Sequence, residues 1–210
     1  MTHLVLLGDS IFDNRVYVAP ELDVADQLRS RLQKGWRATL LAVDGHVTAD
    51  VLQRQLPRLP DGAGRLVLSV GGNDALGRSS VLAQTASTVG AAVAMLDRAR
   101  AGFRHDYRRL LDAIAAIGLP SAVCTIYDAN YPPPMGEFVT GALSLFNDII
   151  TREAFARGFD LIDLRLICDA PEDYANPIEP SALGGDKIAA AIAGWAGAPQ
   201  DGRSRVWSTS

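Results

Sequence analysis

The chain has little cysteine, no run of one charge and no long apolar stretch. Cys124 and Cys168 are its two cysteines, and no CxxC spacing joins them. That excludes a disulfide framework and a thiolate metal site, and leaves two buried thiols as the expectation. Net charge is −4 without a long basic or acidic block, so nucleic acid is not an expected partner. No apolar run is long enough to cross a bilayer, and no membrane partner is expected. The first apolar run begins at about the third residue. That leaves no room for a signal peptide ahead of it and makes the cytoplasm the expected location. No internal repeat is present. The acids Asp169, Glu172 and Asp173 have no His or Cys at ligand spacing, so they read as a solvated loop and no metal is expected.

What is present is a globular composition. Of 210 residues, 48% are hydrophobic and 21% charged, which suits one domain with a full core. Short apolar runs at 3–7, 38–43, 66–70, 121–126 and 159–162 alternate with amphipathic stretches at 20–33, 48–56, about 79–117, 138–157 and 182–196. Strand–helix alternation with short links predicts an α/β fold: a three-layer α/β/α sandwich around a five-stranded, flavodoxin-like parallel sheet. The long 79–117 segment is expected to break into two helices near Gly102-Phe103. Pro132-Pro133-Pro134 belongs to a loop over the top of the sheet. The domain is taken as 1–198. Residues 199–210, polar and without periodicity, read as a disordered tail.

Three motifs follow the first three runs: Gly8-Asp9-Ser10, Asp44-Gly45-His46-Val47-Thr48 and Gly71-Gly72-Asn73-Asp74. Parallel strands bring their carboxyl ends to one edge, where α/β proteins bind ligands, so the three should meet in space. Acyl transfer needs a nucleophile and donors aimed at the oxyanion that develops on the acyl oxygen. A serine, a glycine whose backbone N–H can approach, and an asparagine amide supply these.

The pattern resembles the SGNH (GDSL) hydrolase superfamily over about 1–195. The resemblance implies Ser10 as nucleophile, with its own N–H as one oxyanion donor, Gly45 as backbone donor and Asn73 as side-chain donor. Asp9 resembles the aspartate that braces the serine turn. The GxSxG elbow of the α/β-hydrolases is absent, which argues against that other serine-hydrolase fold. The last block of the family reads Asp-x-x-His, often followed by Pro-Ser, Gly and a helix. Here Asn176-Pro177-Ile178-Glu179-Pro180-Ser181 keeps the frame but replaces both the acid and the base.

A buried glutamate has a raised pKa and can take a serine proton. The expectation is therefore a Ser10–Glu179 pair, with Asn176 holding one oxygen of the Glu179 carboxylate. His46 is either a rim histidine exposed to water or a substitute base or donor near the cleft. His3 reads as structural or exposed, and His105 as a solvated helix residue. Asp13 and Asn14 are either turn caps or a polar wall that contacts substrate. Asp74 reads more as a helix cap or a partner of neighbouring loop amides than as a substrate contact. The function these residues suggest is an esterase or thioesterase working through an acyl-serine. It acts on a small-molecule ester and requires no cofactor. The alternative is a catalytically impaired protein of the same fold that binds a small polar or acylated ligand. Oligomeric state is left open.

Overall fold

A computed structural model describes residues 2–199 and 203–208. The strands are β1 (His3–Gly8), β2 (Arg37–Leu40), β3 (Arg65–Ser69), β4 (Ser121–Cys124), β5 (Asp160–Ile162), β6 (Tyr174–Asn176), β7 (Glu179–Pro180) and β8 (Val206–Trp207). The helices are α1 (Arg15–Val18), α2 (Val24–Arg31), α3 (Thr48–Asp50), α4 (Gly72–Leu76), α5 (Val89–Ile117), α6 (Met135–Phe155), α7 (Leu164–Ile167) and α8 (Ala182–Gly197). The main sheet has the order β2-β1-β3-β4-β5-β8, with all its pairs parallel.

Alternate residues of the central strands feed two separate cores, because successive side chains on a strand point to opposite faces. Leu4 and Leu6 of β1 pack with Val24 and Leu28 of α2 and with Ile188, Ile192 and Trp195 of α8. Val5 and Leu7 pack with Phe103, Tyr107 and Leu110 of α5 and with Ile149 and Ile150 of α6. A strand buried on both faces reads as a continuous apolar run, which is how His3–Leu7 appears in the sequence.

Three expectations are corrected. The main sheet has six strands rather than five. The sixth, β8, comes from the segment read as a disordered tail. Leu161 donates its N–H to the Arg205 carbonyl at 2.8 Å, Asp163 donates to that of Trp207 at 2.8 Å, and the Trp207 ring packs on the α2/α8 core. Residues 200–202 and 209–210 of that segment lie outside the described residues. The third correction is that α5 runs unbroken through Gly102. A helical glycine costs about 1 kcal/mol against alanine. The fully buried Phe103, Tyr107 and Leu110 outweigh that by keeping the helix docked. The helix stops instead at Gly118, in the left-handed conformation.

Among the described residues no helix is long and apolar enough to cross a membrane, no metal-holding cluster of His, Cys, Asp or Glu occurs, and both cysteines are buried free thiols. Asp173 is fully buried rather than solvated. It pairs with Lys187 at 2.8 Å and accepts the Ala170 N–H, so it anchors the start of α8.

Candidate active site

β1 and β3 end level, with Gly8 opposite Ser69. Gly8 has φ +136°, and a Cβ there would overlap the Ser69 carbonyl oxygen. Only glycine lets β1 press this close and then turn. Asp9 closes the turn: its N–H donates to the Ser69 carbonyl, its carbonyl accepts from Phe12 and Asp13, and its Oδ1 accepts from Ile11. Burial pushes the Asp9 carboxyl up to about 8; the Ile11 bond opposes this, and the charges of Glu179 and Asp74 add to it. Ser10 follows, 6% exposed.

The hydroxyl of Ser10 donates to Glu179 Oε1 at 3.1 Å. Glu179 is also 6% exposed, and its Oε2 has no hydrogen-bond partner. Burial raises its pKa to about 7; the Ser10 bond opposes the rise and the charge of Asp44 adds to it. Three side chains hold the short β6–β7 ribbon that carries this carboxylate. Asn176 Oδ1 accepts the N–H groups of Ile178 and Glu179 at 3.0 and 3.1 Å. The Tyr127 hydroxyl donates to the Ile178 carbonyl at 2.7 Å. Asn14 Nδ2 donates to the Pro180 carbonyl at 3.3 Å. Asn176 thus fixes Glu179 through the backbone. The expected bond from the Asn176 amide N–H to the Glu179 carboxylate is not formed: Oε1 accepts from Ser10 and Oε2 has no partner.

The other two motifs reach the same edge. Gly45 turns the chain with φ +79°. The Asn73 side chain, at the start of α4, donates to the His46 carbonyl at 3.0 Å. That uses one of its two amide hydrogens. Among the described residues, the N–H groups of Ser10 and Gly45 make no hydrogen bond. The N–H groups of Ser10 and Gly45 and one amide hydrogen of Asn73 are thus left without an acceptor.

His46 does not contact Ser10. Its Nδ1 accepts from Gln55 Nε2 at 2.9 Å, which places its ring proton on Nε2. Gln55 also bonds both backbone groups of Gly8, at 2.8 and 2.7 Å. This one buried amide ties the serine turn to the Gly45 turn. No signal in the sequence marks Gln55, because its partners are backbone groups 47 residues away. Asn147 clamps the N–H and carbonyl of Ile126 in the same way and is equally invisible in the sequence.

The three candidate substrate contacts, Asp13, Asn14 and Asp74, do not line the cavity beside Ser10. Each bonds backbone instead, as short Asx side chains in turns tend to do. Asp13 accepts the Asp44 N–H. Asn14 bridges the Val24 N–H and the Pro180 carbonyl. Asp74 Oδ2 accepts both the N–H and the hydroxyl of Thr48 at 2.9 Å. Thr48→Val removes one of these bonds from a buried carboxylate. A loss of about 1–3 kcal/mol is expected, read as a lower midpoint in urea unfolding. Of the other histidines, His3 is buried, within 2.7 Å of Thr39 Oγ1, and His105 is exposed.

A cavity of about 570 Å³ opens beside Ser10, between the α4–α5 segment and the Thr125–Phe146 region. Asp9, Ser10, Asn73 and Glu179 line one end, and most of the remaining wall is apolar.

A parallel sheet covered by helices on both faces, with serine, glycine and asparagine turns meeting at its carboxyl edge, is the architecture of the SGNH hydrolases. The chain belongs to the GDSL-like lipase/acylhydrolase family, whose model matches residues 6–187. Solved structures agree on the fold. An extracellular lipase from Streptomyces rimosus is 20% identical with TM-score 0.62, over 89% of this chain and 96% of that one. Phospholipase A1 from Streptomyces albidoflavus NA297 is 19% identical with TM-score 0.61, over 89% and 95%. Est24, a carbohydrate acetylesterase from Sinorhizobium meliloti, is 13% identical with TM-score 0.63, over 93% and 98%. At these identities the likeness is one of fold. No curated protein sequence matches the chain.

Proposed function

We propose that the chain hydrolyses carboxylic esters through an acyl-Ser10 intermediate, with Glu179 as the general base. The observation that carries this is the 3.1 Å bond from the Ser10 hydroxyl to a buried carboxylate whose pKa lies near 7. A base is most effective when its pKa is close to the working pH. Burial moves Glu179 from a weak base into that range.

Ser10 Oγ attacks the acyl carbon while its proton passes to Glu179 Oε1. The negative charge that forms on the acyl oxygen meets the N–H groups of Ser10 and Gly45 and the free amide hydrogen of Asn73. The tetrahedral adduct collapses, and the leaving alkoxide takes the proton from Glu179. A water then attacks the acyl-serine and gives its proton to Glu179. That proton returns to Ser10 Oγ as the acid leaves. These steps need no cofactor. Asp9, largely protonated at neutral pH because its pKa is about 8, adds little negative charge beside the base.

The names of the structural neighbours (lipase, phospholipase A1, carbohydrate acetylesterase) support an ester as substrate. A fluorophosphonate probe tests the reading. Covalent labelling should map to Ser10 and vanish in Ser10→Ala. A folded protein that takes no label even at alkaline pH would instead be a ligand-binding member of the family.

A further inference from the structure

The cavity wall changes character with distance from Ser10. Its carboxylates, serine hydroxyl and asparagine amide sit at the Ser10 end. Away from it the wall is built from side chains such as Leu82, Leu96 and Ala99 on one side and Phe138, Ala142 and Phe146 on the other. A pocket for a sugar or another hydroxyl-rich group needs convergent polar partners along its length. Here the polar side chains beyond the reacting end are Arg78, which donates to the Asp74 carbonyl, Ser79 and Tyr131, and most of that wall is apolar.

The two segments that enclose the cavity have no core of their own. No residue from 75 to 102, and none from 128 to 142, is buried. Yet both segments are rich in apolar side chains. Leu76, Leu82, Met135 and Phe138 are between 41% and 57% exposed. Globular segments with this composition normally bury such groups against one another. In this chain they face a space of about 570 Å³, within the range of roughly 300–1,000 Å³ typical of small-molecule sites. Something apolar must complete the layer, and it must be joined to a group that reaches Ser10.

We infer that the acyl half of the substrate is a medium-length or long alkyl chain, laid between the start of α5 and the start of α6 as the missing core of this cap. The inference rests on the ester-hydrolase reading and sharpens it to one substrate class. It also assigns the two halves of the ester. The alkyl tail enters the cavity. The alcohol leaves past the Asp44-Gly45-His46 turn, which is exposed or half-buried and contributes nothing to the cavity wall.

The test is a series of p-nitrophenyl esters from acetate to decanoate, each below its aggregation concentration, with Ser10→Ala as the blank. Burying one methylene corresponds to about a fourfold gain. The Ser10-dependent kcat/KM should therefore climb with chain length, with octanoate on the order of 10²-fold or more above acetate. Ala99→Trp and, independently, Ala142→Phe fill the cavity and should each lower the octanoate-to-acetate ratio at least tenfold. Either one decides the point if the other fails to fold. Ser10-dependent hydrolysis that is flat or falls beyond acetate, with a ratio unmoved by both variants, overturns the inference while leaving the ester-hydrolase reading intact. No Ser10-dependent hydrolysis of any ester overturns both.

Discussion

Glu179→Gln is expected to lower kcat/KM for ester hydrolysis by about 10²–10⁴, with the fold retained. The amide is nearly the same shape as the carboxylate and can still lie against Ser10. It can accept the serine hydrogen bond but cannot take the proton. His46→Ala should cost far less, because the ring is bonded to Gln55 and makes no contact with Ser10. The reverse order of effects would move the base to His46.

The same carboxylate gives two pH signatures of opposite sense. With Glu179 as the proposed base, hydrolysis needs the ionised form, so kcat/KM should fall about tenfold per pH unit below roughly 7 and level off above it. Stability runs the other way. The folded pKa of Glu179, about 7, lies above its ordinary value of 4.5. Between those two values the native state holds a proton that the unfolded chain has released, so stability declines as pH rises through that window. Asp9 has the same sign over a window reaching about 8. Glu179→Gln should therefore melt at a higher temperature than the parent at alkaline pH, and the difference should close as pH falls toward 5. A variant that is inactive and also more stable at high pH is the mark of a strained catalytic group; a merely structural carboxylate would not give both.

Much of this arrangement is legible in the chain, and the reason is geometric. A parallel sheet puts the residues just after β1, β2 and β3 on one edge, so Ser10, Gly45 and Asn73 can be placed together from strand order alone. Glu179 is legible because the frame around it, from Asn176 to Ser181, survives the loss of the histidine. Asp13, Asn14 and Asp74 illustrate the limit. A short polar side chain near a strand end can face either substrate or backbone, and composition does not say which; in all three cases the backbone claims it. Asn176 shows the same ambiguity at the level of a single bond. Gln55 and Asn147 are hidden for another reason. Their partners lie 47 and 21 residues away, and no local pattern encodes them. The sixth strand is hidden because two residues, Val206 and Trp207, are too few to show a period. The unbroken α5 is missed because a local glycine signal is weaker than the burial of Phe103 one residue later.

Gly8→Ala should be the most damaging small substitution near the site. Two independent penalties meet there. The residue sits at φ +136°, where side chains other than glycine are strained. In addition, the new Cβ would collide with the Ser69 carbonyl, a backbone atom that cannot rotate away. Relieving the clash means pulling β1 from β3, which breaks the Asp9-to-Ser69 bond at 3.1 Å and loosens the two Gln55 bonds to Gly8. Strain and overpacking at about 1–3 kcal/mol each give a combined loss of about 2–6 kcal/mol. For a domain of this size that lowers Tm by at least about 4 °C. Gly45→Ala is the matched control. It too has positive φ, at +79°, but a Cβ there meets no atom within 4 Å, so backbone strain of roughly 1 kcal/mol is its only cost. Calorimetry on the two variants separates strain from collision. Equal melting temperatures would mean that β1 and β3 can part without cost, and the close approach would then no longer explain how Ser10 is held beside Glu179.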